Sequence, residues 1–216
     1  MRFRPRAGWG GAQMSDQREF WNERFAKEGY FYGTEPNRYV ASHIDALSEP
    51  QNILFLGEGE GRNAIYAARK GHTVTALDAS DVGLAKCAER AKSANLTLEL
   101  IHTDLEIWEP RKTYDAVLCS FLHLPEPLRS AVYAKVLGAL KSGGLFAGEF
   151  FSIHQMPRTT GGPKDETLLY TADALRSILA HHTCDILELI ECDTELSEGR
   201  GHNGIASVVR MAVLKS

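Results

Sequence analysis

A chain of 216 residues, 44% of them hydrophobic, has enough apolar material for one domain-sized core. Its formal net charge of −4, with 24 Lys and Arg set against 28 Asp and Glu, points away from nucleic acid or an anionic membrane as a partner. No apolar run approaches bilayer-spanning length. The cysteines, Cys87, Cys119, Cys184 and Cys192, lack metal-ligand spacing, so free thiols in a reducing cytoplasm and no metal are expected.

Met1 to Gln13 (MRFRPRAGWGGAQ) is basic and glycine-rich, without the apolar core of a signal peptide. It reads as part of a disordered tail, 1–14, ahead of a single domain over 15–216, with Met14 as an alternative start. Asp16 to Lys27 reads as an amphipathic helix, with capping-box spacing between Asp16 and Glu19 and with Trp21 and Phe25 four apart on one face. A loop over Tyr30–Asn37 and a helix over Arg38–Leu47 follow.

The middle of the chain alternates apolar strand runs with helical periodicity. Strands are predicted at Asn52–Leu56, Thr73–Leu77, Thr97–His102, Tyr114–Ser120 and Gly144–Phe151, and helices at Arg62–Lys70, Asp81–Ala94 and Pro125–Leu140. Right-handed crossovers turn that order into a doubly wound, Rossmann-like parallel sheet. Ser152 to Tyr170 reads as a long loop, the length at which lids occur. A helix over Thr171–Leu179 leads to strands Cys184–Leu196 and Gly204–Leu214. The loop between these strands, about seven residues, is too short for a parallel crossover, so they form an antiparallel pair. The fold class is therefore α/β, a seven-stranded sheet, mostly parallel, with that C-terminal pair and extra N-terminal helices.

The first strand runs into Gly57-Glu58-Gly59-Glu60-Gly61-Arg62-Asn63 and the second ends on Asp78. A glycine turn between a strand and a helix, with a carboxylate closing the next strand, is the build of a nucleoside-cofactor site. Asp78 is placed to accept from both ribose hydroxyls, with Asp81 as the helix cap in Asp78-Ala79-Ser80-Asp81. The dinucleotide pattern G-x-G-x-x-G fails at its third glycine, where Arg62 stands. Glu58 and Glu60 repel a pyrophosphate and tolerate a sulfonium. Glu60 reads more simply as a solvated loop charge. Ser120, Phe121 and His123 end the fourth strand, at the edge where ligands of open α/β sheets sit. Tyr30, Phe31 and Tyr32 form a candidate aromatic lid, while Trp21 and Phe25 read as core. Lys164, in the long loop, is a candidate for attracting an anionic substrate.

The G-x-G-x-G turn followed by Asp78 resembles motif I and the acidic ribose position of class I S-adenosylmethionine-dependent methyltransferases. Together with Gly29–Asn37, Asp104-Leu105, His123-Leu124-Pro125, Gly161–Asp165, Glu198-Gly199 and His202-Asn203-Gly204, it resembles the small bacterial tellurite-resistance and thiopurine methyltransferase-like group. That resemblance implies S-adenosylmethionine as cofactor and S-adenosylhomocysteine as product. It implies cofactor contacts from Tyr32, Gly57, Glu58, Gly59, Gly61, Asn63, Asp78, Ala79, Ser80, Asp104, Leu105, Ser120 and Phe121. Within that set Asp104 takes the adenine amino group and Leu105 donates its N–H to the ring. Phe55 stands where many relatives carry an acid, leaving Glu58 to serve the methionine ammonium. His123 and His202 are the candidate bases, and Tyr30, Lys164 and Arg200 the candidate substrate contacts.

The expected activity is methyl transfer to a small molecule, with a soft acceptor such as a thiol or chalcogen oxyanion, by a monomer or homodimer. The alternatives are a nicotinamide-dependent oxidoreductase and a non-enzymatic S-adenosylmethionine-binding regulator.

Overall fold

The computed structural model describes residues 13–216. Helices α1 (Gln13–Phe25) and α2 (Arg38–Asp45) precede an alternating core of β1 (Asn52–Leu56), α3 (Arg62–Arg69), β2 (Thr73–Asp78), α4 (Asp81–Ser93), β3 (Glu99–His102), β4 (Tyr114–Ser120), α5 (Leu128–Ala139) and β5 (Leu140–Phe151). Then come α6 (Ala172–Leu179), β6 (Cys184–Glu198) and β7 (His202–Lys215). The seven strands lie in the order β3-β2-β1-β4-β5-β7-β6. All pairings from β3 to β5 are parallel, and β7 runs antiparallel to both β5 and β6.

The period of two along each strand divides the core. Ile53 and Phe55 of β1 face one side with Val40 and Ile44 of α2 and Ala64 and Ala67 of α3. Leu54 and Leu56 face the other, with Val132, Tyr133 and Val136 of α5 and Leu175 and Leu179 of α6. Burial on both faces explains why the parallel strands read as unbroken apolar runs. Among the described residues no helix is long and apolar enough to cross a membrane.

Several boundaries differ from the sequence reading. α1 is helical from Gln13, three residues ahead of the start expected at Asp16, so the helix overlaps the expected tail at Gln13 and Met14. The rest of the expected tail lies outside the described residues. Pro125-Glu126-Pro127 forms a turn, so α5 begins only at Leu128. The turn between β6 and β7 is not seven residues but three, 199–201, because the ladder continues to a Glu198–His202 pair. Gly199 at φ 58° makes so tight a turn possible.

The cap of α4 is also reassigned. Ser80, not Asp81, is the N-cap, its hydroxyl accepting from Gly83 N at 3.0 Å. The same hydroxyl donates to Asn22 of α1, whose amide also donates to Asp81 at 2.8 Å. Ser80→Ala is expected to cost about 1 kcal/mol in urea unfolding, the typical value of a lost cap.

Candidate functional site

One cavity of about 660 Å³ lies along the carboxyl edge of the parallel strands, a volume usual for a small-molecule site. The turns after β1, β2, β3 and β4 form its floor. Because β7 is antiparallel, its first residue, His202, arrives at the same edge. α1 and the loop after it supply the opposite wall through Trp21, Arg24, Phe25 and Tyr32.

The glycine turn is built by carboxylates. Gly57, Gly59 and Gly61 all adopt positive φ (61°, 56° and 82°), which glycine accepts without strain. A Cβ on Gly59 would lie 2.7 Å from Cζ of Phe25, so α1 packs directly onto the turn. Glu58 folds back over the start of α3. Its Oε1 accepts from the N–H groups of Asn63 and Ala64 at 2.7 Å each, and its Oε2 accepts from the Asn63 amide at 3.1 Å. Burial raises its pKa against those hydrogen bonds. The donors with which a helix N-terminus would hold a phosphate are thus already taken by a carboxylate. Glu60 is not a solvated loop charge. It is 5% exposed, accepts from Phe31 N at 2.7 Å and pairs with Lys86 at 2.9 Å.

Asp78 ends β2 with both oxygens engaged. Oδ2 accepts from Gly59 N and Oδ1 from Ser80 N, each at 2.7 Å. Burial pushes its pKa up to about 6 in spite of those bonds. Asp104 accepts from Glu106 N at 2.8 Å, a local turn that holds the carboxylate on the cavity wall beside Leu105.

Phe121 follows β4 at φ 53°, in the left-handed region, a conformation that costs a non-glycine residue on the order of 1–3 kcal/mol. Its N–H donates to Glu149 O at 2.7 Å, and its ring stacks on Phe151 at 4.5 Å. His123 donates from Nδ1 to Leu168 O at 2.8 Å, which ties the long loop to the end of β4. Its buried Nε2 has no partner among the described residues. Burial pushes its pKa down to about 3, so it is neutral at working pH and a poor proton acceptor.

His202 is held differently. Nδ1 donates to Glu198 Oε2 at 2.9 Å, and the same oxygen accepts from Arg62 at 2.9 Å. Burial would raise the Glu198 pKa, but the His202 hydrogen bond and the Arg62 charge prevail and hold it at about 2. Burial lowers the His202 pKa, with Glu198 opposing. The ring lies 4.5 Å from that of Tyr32, 4.3 Å from Phe121 and 5.0 Å from Phe151.

Behind these groups sits Asn37, 1% exposed. Its side-chain amide donates to Glu149 at 2.7 Å and to Glu198 at 3.0 Å, while its N–H donates to Asn63. Glu149 also accepts from Arg210 at 2.8 Å.

Of the residues singled out from the sequence, Tyr32, Gly57, Glu58, Gly59, Asn63, Asp78, Ala79, Asp104, Leu105, Ser120, Phe121, His123, Lys164 and His202 line this one cavity. Four do not. Gly61 is packed on the Cys87 sulfur, Ser80 is fully buried as a cap, and Tyr30 lies under the Arg90 guanidinium at 4.8 Å. Arg200 is exposed at the hairpin tip, where its N–H donates to Phe31 O. Lys164 is on the wall, with its ammonium on Arg158 O at 2.6 Å. Phe25, read as core, is buried as expected and also borders the cavity, while Trp21, read the same way, is a partly exposed wall residue. Arg24, Arg62, Phe151 and the support from Asn37 and Glu149 had no assigned role. The signal for α1 was the clustering of Phe20, Trp21, Arg24 and Phe25 on one short helix; nothing local marks Glu149.

Residues 53–144 match the family described as "Methyltransferase domain". A ubiquinone biosynthesis O-methyltransferase of Rickettsia akari is 30% identical over 80 residues, 37% of this chain, and the match spans 32%, about a third, of that protein's length. TehB from Haemophilus influenzae superposes with a TM-score of 0.69 at 17% identity, covering 93% of this chain and 67% of its own. The magnesium protoporphyrin IX methyltransferase of Synechocystis PCC 6803, solved with bound S-adenosylmethionine, gives 0.68 at 16% identity, with 97% of this chain and 100% of its own covered. At these identities the two structures establish a shared fold.

Proposed function

We propose that this chain, which resembles the class I S-adenosylmethionine-dependent methyltransferases in fold and in its match over residues 53–144, transfers a methyl group from S-adenosylmethionine to a small molecule in the cytoplasm. The observation that carries the reading is Glu58 on the N-terminus of α3. It fills the phosphate-binding donors and, with Glu60, Asp78 and Asp104 along the same side, surrounds the turn with carboxylates. A pyrophosphate is repelled there, whereas a cationic sulfonium and ammonium are favoured. That charge pattern disfavours a nicotinamide dinucleotide.

In this reading Asp78 accepts from the ribose hydroxyls, Asp104 and the Leu105 N–H hold the adenine, and Gly57 and Gly59 let the backbone approach the methionine portion. Tyr32, Asn63, Ala79, Ser120 and Phe121 complete the cofactor wall. The cofactor supplies an electrophilic methyl carbon. The chain's residues hold the acceptor in line with it and keep water out, a contribution of roughly 7–11 kcal/mol in well-oriented systems. The acceptor is either a soft anionic nucleophile, such as the thiolate of a thiol or a chalcogen oxyanion, or a group that first gives up a proton. His202 is the candidate base and Lys164 a candidate substrate contact at the rim.

Calorimetric titration with S-adenosylmethionine and S-adenosylhomocysteine, with NADH as control, tests the cofactor. Micromolar binding of the sulfur compounds and none of NADH is expected; NADH binding alone overturns the reading. The affinity should also depend on pH through Asp78. Ionised, it offers charged acceptors to the ribose. Protonated, it loses the charge. S-adenosylhomocysteine affinity is therefore expected to be full above pH 6 and to fall as pH drops through about 6, the Asp78 pKa. A flat profile across that range removes Asp78 from the ribose contact.

A further inference from the structure

We infer that the acceptor is a flat aromatic molecule bearing a hydroxyl group, that His202 Nε2 takes its proton during methyl transfer, and that Glu198 is the positioning residue that holds His202 for this. The inference rests on the cofactor reading above and deepens it.

Glu198 is ionised and can only accept, so His202 carries its proton on Nδ1. Nε2 is then a lone pair. It has no hydrogen-bond partner among the described residues, and the ring that carries it lines the cavity. A carboxylate that fixes tautomer and ring orientation, behind an imidazole with an open second nitrogen, is the arrangement of a general base. The dyad is itself braced, because Arg62 and the Asn37 amide complete the coordination of Glu198. His123, the other histidine on the wall, has the opposite character, with Nε2 buried and no carboxylate behind it.

A soft acceptor does not require such a group, since a chalcogen oxyanion arrives charged and a thiol, with a pKa of about 8.5, already supplies a few per cent of a strongly nucleophilic thiolate at pH 7. A phenolic hydroxyl, with a pKa near 10, is ionised to about one part in a thousand at pH 7. The three rings around His202, those of Tyr32, Phe121 and Phe151, all line the cavity, and Phe121 is placed there at the expense of a left-handed backbone. Aromatic walls beside the base favour a flat aromatic body for the acceptor.

The step balances. The acceptor oxygen forms a bond to the methyl carbon while its O–H pair becomes available and the proton passes to Nε2. The carbon–sulfur bond breaks with its electron pair remaining on sulfur, which becomes a neutral thioether. The positive charge passes from sulfonium to imidazolium and leaves as a proton to water. The groups facing His202 are Glu198 on β6, Arg62 on α3, Arg24 on α1, Tyr32 on the following loop and His123 after β4. Glu198 stabilises the imidazolium; Arg62 and Arg24 oppose it.

The test compares catechol with thiophenol as methyl acceptors for the full chain, His202→Gln and Glu198→Gln, with S-adenosylhomocysteine calorimetry on each. His202→Gln is expected to lose at least about 100-fold in kcat/KM on catechol, within the range for a general base, and less than about 3-fold on thiophenol, with S-adenosylhomocysteine binding retained. Glu198→Gln is expected to move the acidic limb of the catechol pH profile to lower pH, because the imidazolium loses its partner, and Glu198→Asp to restore it. As a readout apart from turnover, the Nε2 resonance of nitrogen-15-labelled His202 should shift when catechol is added in the presence of S-adenosylhomocysteine. Equal losses on both acceptors, no loss on catechol, or binding of S-adenosylhomocysteine without turnover or resonance shift from catechol overturns the inference while leaving the cofactor reading intact. Failure of the unmodified chain to bind S-adenosylhomocysteine overturns the cofactor reading and this one with it.

Discussion

Glu58→Ala is expected to lower the unfolding free energy by about 2–4 kcal/mol, measured by urea denaturation. The side chain satisfies two backbone N–H groups at the start of α3 and one amide N–H of Asn63. It is 7% exposed, so water does not simply replace it. Each buried donor left without a partner costs about 1–3 kcal/mol. Burial of the charge offsets part of this, as the raised pKa of Glu58 shows, which is why the estimate stays below the sum over the donors. Glu58→Gln keeps one acceptor oxygen and should lose less. Removing the carboxylate also frees the helix N-terminus, so the alanine variant is expected to gain measurable affinity for inorganic pyrophosphate. Unchanged stability together with no pyrophosphate binding would show that Glu58 does not govern the ligand charge this turn accepts.

Asp78→Ala is expected to weaken S-adenosylhomocysteine binding by about 10-fold or more, at least 1.4 kcal/mol, since charge-assisted contacts to two hydroxyls are lost. Asp78 also holds Gly59 N and Ser80 N, so the alanine variant loosens the turn as well. Asp78→Asn keeps one acceptor oxygen, sets an NH2 group against the other backbone N–H and loses the charge, so its affinity should fall between those of the native chain and the alanine variant and should not decline further as pH drops through about 6. Native affinity in a folded Asp78→Ala variant would place the ribose on another carboxylate.

The order of strands and helices, the doubly wound sheet with its antiparallel C-terminal pair, the glycine turn and the terminal Asp78 were all legible along the chain. These features are local. A strand buried on both faces must be continuously apolar, a left-handed turn selects glycine, and a carboxylate closing a strand stands at the sheet edge whatever surrounds it. Boundaries drifted where a neighbour decided them. The β6–β7 turn shortened to three residues because a tight turn at Gly199 packs against Gly33, and no window of sequence around Gly199 contains Gly33.

The polar half of the site was decided by tertiary structure alone. Asn37 reaches Glu198 across 161 residues and Glu149 across 112. Arg62, read only as a missing glycine, becomes the cation that holds Glu198 beneath His202. Asp104 and His202 look alike as isolated polar residues in the sequence. They differ because one stands in a turn that satisfies it locally, whereas the other is brought by an antiparallel strand onto a carboxylate and three aromatic rings. Backbone conformation follows from near neighbours and is written where it acts, but the protonation and orientation of a buried side chain follow from groups that only the completed sheet brings within hydrogen-bond distance.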